Sequence, residues 1–138
     1  MKSSSKEPIY QYSEQEVANR SPLAKSFLET RARLNKHVDV ANNKLLKRFY
    51  NIDHNTYLEG EVPSKYKELM GLSVSAALRC DDCINYHVIQ AFRLGASKKE
   101  IEETLDISVV VAGSIVIPHL RRAYELTNEL YGVNIEPN

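Results

Sequence analysis

The sequence predicts an all-α fold, and three observations carry that prediction. Apolar residues recur at three-, four- and seven-residue steps through most of the chain, the stripe of an amphipathic helix. Helix-start signals stand at Ser21-Pro22, at Pro63, and at Ser97-Lys98-Lys99-Glu100, which reads as a capping box. The β-branched run 107–117, ISVVVAGSIVI, has no partner strand elsewhere, so the helical phase set by the capping box is kept through it. With 138 residues the chain is long enough for one domain with a real core.

Residues 1–20 read as a polar N-terminal arm, with a short serine run at 3–5 and Tyr10 and Tyr12 free to pack on a neighbour. The helical domain is expected over 21–138. Ser21 is the N-cap of its first helix and Pro22 lies in the first turn. Leu23, Phe27, Leu34, Val38, Ala41 and Leu45 continue the stripe to about Tyr50, and the basic residues between them read as a solvated face. Residues 51–60, NIDHNTYLEG, are rich in turn formers. After Pro63, residues 64–78 are apolar nearly all round, which predicts a helix that is buried or sandwiched between subunits. Its small residues, including Gly71, Ser75 and Ala76, permit close approach of another helix. A corner at 79–82 leads into a helix that runs to about Leu94 and ends at Gly95. The next helix opens at Ser97 and is interrupted at Pro118; the last ends at Gly132. No repeat of solenoid period is present.

Composition excludes several function classes. Lys+Arg and Asp+Glu are balanced at 18 each, which leaves no electrostatic footprint for nucleic acid or an anionic membrane. No apolar run approaches the roughly 18–20 residues of a membrane span. The polar N-terminus lacks the apolar core of a secretion signal, so a cytosolic location is expected. In a reducing compartment a C-x-x-C pair is more often redox-active or metal-binding than a structural staple.

The chain's two cysteines, Cys80 and Cys83, form such a pair. His87 follows four residues after the second, and Glu68 precedes the first by twelve, in an otherwise apolar helix where a carboxylate needs a partner. Cys80, Cys83 and His87 share one helical stripe. Both sulfurs sit at or just before the first turn of a helix, where free N–H groups and the dipole lower a thiol's pKa. Asp81 and Asp82 oppose this. A base must therefore help remove the proton; His87 is the local candidate, with Glu68 behind it as base or orienter. The chemistry is that of a dithiol attacking an electrophilic oxygen or sulfur, a hydroperoxide being the simplest substrate, and closing to a disulfide that a dithiol or thioredoxin-like donor then reduces. Two other readings stay open. The cysteines can be buried packing residues beside a satisfied histidine. Alternatively Cys80, Cys83 and His87 can supply three zinc ligands, with Glu68 or another chain as the fourth. His37 reads as a surface or interface residue and His54 as structural, while His119 lies by the Pro118 break and is not expected to touch a site.

The spacing Glu-x11-Cys-x2-Cys-x3-His, on Glu68, Cys80, Cys83 and His87, resembles the alkylhydroperoxidase D-like branch of the carboxymuconolactone decarboxylase family. The entry Lys65–Leu69 and the stretch HVIQAFRLGASKKEIEETL are similar too; the likeness is strongest over 58–106 and extends to about 131, while residues 1–50 match only in being helical. The resemblance implies an all-α fold that assembles through its helices into homo-oligomers, commonly trimers or hexamers. It implies a peroxidase with Cys83 as the peroxidatic thiol, Cys80 as the resolving one and Glu68 with His87 as a proton relay, with no cofactor and no bound metal. One position departs: some peroxidase members carry a histidine just before the second cysteine, where this chain has Asp82. The family's lactone decarboxylases generally lack the C-x-x-C pair. A lactone enzyme with idle cysteines, and a non-enzymatic assembly protein, are the rival functions.

Overall fold

The computed structural model describes residues 6–137; the serine run at 3–5 lies outside them. Among the described residues there are seven α-helices and one short 3-10 turn, and no strand. The helices are α1 (Glu14–Arg20), α2 (Pro22–Ala41), α3 (Lys44–Thr56), α4 (Ser64–Ala77), α5 (Asp81–Arg93), α6 (Lys98–Ala112) and α7 (Ile117–Leu130).

The centre of the molecule is the antiparallel pair α4–α5, with α6 packed on α4 and α7 on α5. Leu72 and Ala76 of α4 meet Ile84 and Val88 of α5 in a core closed by Ile101 and Leu105 of α6 and Leu126 and Leu130 of α7. The connections are short because each helix ends in a tight cap. Gly95, at a φ of 84°, ends α5 with Gly95 N–H on the Phe92 carbonyl and Ala96 N–H on that of Ala91. Ser97 then starts α6: its Oγ accepts from the Glu100 N–H at 3.0 Å, while the Glu100 carboxylate accepts from the Ser97 N–H at 3.1 Å. Ser97→Ala removes one arm of this box and is expected to cost about 1 kcal/mol, read as a lower urea midpoint at unchanged slope.

Four expectations are corrected. The segment before Ser21 contains a helix: Ser13 caps α1, and Val17 is wholly buried. The residues ahead of it are held as well. Gln11 N–H donates to the Arg93 carbonyl at 2.7 Å, Tyr12 stacks on Phe92 at 4.6 Å, and the Arg93 guanidinium lies over the Tyr10 ring at 4.0 Å. Both tyrosines thus pack on their own chain. Second, the expected helix from 21 to about 50 is two helices. Asn42 takes the left-handed conformation, φ 51°, and the Asn43 side chain caps α3 by accepting from the N–H groups of Leu45 and Leu46. Asparagine is the residue other than glycine best suited to each position. Third, α3 extends to Thr56, so the turn is confined to 57–63. Fourth, Pro118 does not break a helix. The break is at Gly113, φ 86°, followed by a 3-10 turn over Ser114–Val116, and Pro118 lies in the first turn of α7. Proline is tolerated there because that N–H has no partner within the helix.

Two apolar faces lie open. On α4, one side is buried while Met70 and Val74, with Leu78 at the C-cap, are exposed. On α3 no residue is buried, and Leu45, Phe49 and Ile52 face outward.

Candidate active site

The site is built on the corner between α4 and α5. Helix α4 closes with Arg79 in the left-handed conformation, φ 62°, an uncommon state for a residue with a Cβ. Arg79 N–H donates to the Ala76 carbonyl and Cys80 N–H to that of Ser75, each at 3.0 Å. Cys80 is at once the residue that closes α4 and the N-cap of α5, its Sγ accepting from the Cys83 N–H at 3.3 Å. Cys83 is therefore in the first turn of α5, and the two cysteines are joined as a disulfide with Cα atoms 5.3 Å apart. Cys80 is half-buried and Cys83 exposed, so an incoming reagent meets Cys83 first.

One turn on along α5, His87 reaches back across the hairpin to Glu68 of α4. His87 Nδ1 and Glu68 Oε2 are 2.7 Å apart, and the side chains are only 12% and 6% exposed. A carboxylate only accepts, so Nδ1 carries the hydrogen and Nε2 is left as the free lone pair of the neutral ring. The buried carboxylate that needed a partner thus has His87 as one. Tyr57 stacks on the His87 ring at 5.6 Å and Tyr86 meets it edge-on at 5.4 Å. The Tyr57 phenol is pushed up to about 12, first by burial and then by the charge of Glu68. Burial also raises Tyr86, with the Glu68 charge adding to it. Both phenols therefore stay protonated beside the Glu68 carboxylate, with the Asp53 charge pushing them the same way.

Cys83 and His87 line one cleft of about 440 Å³ between α2, α3 and α5. Its walls are largely apolar or aromatic, with Phe27, Leu34, Phe49 and Tyr86. The Arg31 guanidinium lies over the Tyr86 ring at 4.8 Å, so one of the basic residues read as a solvated face borders the site. No direct hydrogen bond joins Cys83 to His87 in this disulfide form; among the described residues, the polar contact that His87 makes is with Glu68.

Sequence reasoning brought Glu68, Cys80, Cys83 and His87 to one place, and missed two features. Gly71 is the first. A Cβ built there would stand 2.6 Å from Tyr57 Oη and 2.8 Å from His87 Nε2. The small residue was read as an approach for another helix; what it admits is the histidine ring. Gly71→Ala is expected to displace the His87 and Tyr57 side chains and to destabilise the fold by about 1–3 kcal/mol, the usual cost of overpacking. Crystallography of the variant and a urea melt check both effects. The second feature is a polar cluster beside Cys80. His119 Nδ1 lies 2.8 Å from Asp81 Oδ1, and Arg122 donates to Asp81 Oδ2 at 2.9 Å. His119 is therefore next to the cysteine corner and not a distant structural residue. His54, in contrast, pairs with Glu7 at 2.9 Å, and His37 is exposed.

Residues 43–126 match the model of the carboxymuconolactone decarboxylase family. The chain belongs to that family. The matched span contains the whole cysteine corner and its Glu68–His87 pair. Two crystal structures of one Thermotoga maritima protein are similar over most of the chain. The first has 51% identity and a TM-score of 0.75, covering 78% of this chain and 95% of that one; the second has 48% and 0.72, covering 81% and 99%. The second is described as a carboxymuconolactone decarboxylase family protein for which an involvement in antioxidative response has been suggested. A family protein of Legionella pneumophila shares the fold, at 21% identity and a TM-score of 0.54 over 88% of this chain and 98% of that one. An uncharacterised Cupriavidus necator protein is 33% identical over 55 residues, 40% of this chain; that match spans 49% of the relative's length.

Proposed function

We propose that this family member is a thiol-dependent hydroperoxide reductase working through the Cys80–Cys83 couple. The observation that supports this best is the disulfide at the exposed start of α5, sharing a cleft with a buried Glu68–His87 pair at 2.7 Å. The antioxidative role suggested for the Thermotoga protein, nearly half identical, points the same way.

In the cycle, the Cys83 thiolate attacks the distal peroxide oxygen. The O–O bond breaks, the alkoxide leaves with a proton as an alcohol, and Cys83 becomes a sulfenic acid. The Cys80 sulfur then attacks Cys83, expelling the sulfenic oxygen as water and closing the disulfide. The two thiols supply both electrons. An external dithiol, small or thioredoxin-like, reopens the bond by exchange. His87 takes the Cys83 proton on Nε2, through a bridging water since no direct contact exists, and Glu68 steadies the imidazolium that results. The apolar cleft walls favour an organic hydroperoxide over a small hydrophilic one. No step draws on a cofactor, and no step involves nucleic acid or a membrane; among the described residues no helix is long and apolar enough to cross one.

The exposed sides of α3 and α4 give the chain surfaces on which copies of itself can assemble, which supports a homo-oligomer as the working form. Hydroperoxide consumption in the presence of a dithiol tests the catalytic reading: turnover that saturates supports it, and no turnover with both thiols reduced and titratable contradicts it.

A further inference from the structure

We propose that His119 and Arg122 of α7 are positioning residues that clamp the Asp81 carboxylate toward α7 and so keep its charge from suppressing the Cys83 thiolate. This rests on reading Cys80–Cys83 as the redox couple. Asp81 is the first residue of α5, between the two cysteines, two positions before Cys83. A free carboxylate there would repel a thiolate in the same turn and compete for the N–H groups that stabilise it. It is not free. Both of its oxygens are held from α7, Oδ1 by His119 at 2.8 Å and Oδ2 by Arg122 at 2.9 Å.

The Asp81 contact fixes the histidine tautomer. His119 Nδ1 donates to the carboxylate, so its 3.3 Å approach to Arg122 is a side-by-side packing of two donors and not a hydrogen bond. Burial alone would raise the Asp81 carboxyl, but the two hydrogen bonds outweigh it and hold the group below its ordinary value. The carboxylate is thus charged at neutral pH, and its direction matters. Asp82, the next residue, is exposed and opens onto the cleft with Cys83. Asp82 and Glu125 of α7 line one crevice together with Arg122, and they stay constant in the variants below. The clamp joins residues 38 and 41 positions apart, so the acidity of a thiol on α5 is set from α7.

The test reads the thiol directly. In a Cys80→Ser background a single sulfur remains, and its rate of alkylation by iodoacetamide at pH 7 follows the thiolate fraction, as sulfur–carbon bond formation expels iodide. The paired change His119→Gln with Arg122→Gln is expected to slow alkylation about threefold at low salt, the scale of one poorly screened charge roughly a helical turn away. Adding Asp81→Asn should remove at least half of that slowing. Arg122→Lys, which keeps a cation, should retain the original rate. A paired variant that alkylates at the original rate overturns the proposal. So does a slowing that survives Asp81→Asn by more than half, since the α7 residues would then act on the sulfur without Asp81. Far-ultraviolet circular dichroism of each variant guards against misfolding, and Asp81→Asn alone, which should not slow alkylation, gives an independent reading if the paired variant does not fold. Alkylation needs no peroxide turnover, so a failed peroxidase assay and a failed clamp are separate results.

Discussion

Cys83→Ser is expected to lower hydroperoxide turnover by at least about a thousandfold, the scale on which an enzyme loses its nucleophile. A serine hydroxyl at the start of α5 stays protonated at neutral pH and cannot attack the O–O bond. The fold should be unaffected, because Cys83 is exposed and contributes nothing to the core. Cys80→Ser should behave differently. The first attack needs only Cys83, so one equivalent of peroxide is consumed per chain and the sulfenic acid then persists, open to trapping by a dimedone-type probe. Serine is also a better N-cap than cysteine, so α5 is expected to start in the same place. Equal and complete loss in both variants, with no trapped intermediate, would contradict the division of labour between the two sulfurs.

Glu68→Gln is expected to lower turnover about a hundredfold, which is about 2.7 kcal/mol of transition-state stabilisation. The amide is the same size and its oxygen can still accept from His87 Nδ1, so the 2.7 Å contact can persist. On the proposed mechanism, what is lost is the charge that stabilises the imidazolium once His87 has taken a proton. The loss should therefore fall on kcat more than on KM. Glu68→Ala is a different experiment. It leaves a buried imidazole N–H without an acceptor, which costs on the order of 1–3 kcal/mol of stability as well as activity. Pre-steady-state rates of sulfenic acid formation separate the two: Glu68→Gln should slow that step at an unchanged melting temperature, while Glu68→Ala should lower both.

The central part of this architecture was legible because its signals are local. Pro63, the Cys80–Asp82 corner, Gly95 and the Ser97–Glu100 box each sit within a few residues of the helix end they specify. The pairing of Glu68 with His87 was legible for a different reason: a lone carboxylate in an apolar helix demands a partner, and the next helix of the hairpin carried one candidate. The α2–α3 break was hidden by the same periodicity that revealed the helices. Leu34, Val38, Ala41 and Leu45 keep helical spacing across Asn42, and only the Asn42-Asn43 pair marks the turn. Helix α1 was masked by its polarity, since it buries the single apolar side chain of Val17. The Asp81–His119–Arg122 cluster and the fit of Gly71 against His87 have no local signature, because their partners meet only when distant helices pack.

The measurement that bears most directly on the redox reading is a single-turnover stoichiometry. Fully reduced protein receives less than one equivalent of an organic hydroperoxide, is quenched with acid, and is assayed for free thiols and for an intramolecular Cys80–Cys83 link by peptide mass. The thiol-peroxidase mechanism predicts two thiols lost and one alcohol formed for each hydroperoxide consumed, with the Cys80–Cys83 link as the product. Hydroperoxide left intact, or consumed while both thiols remain free, would contradict it.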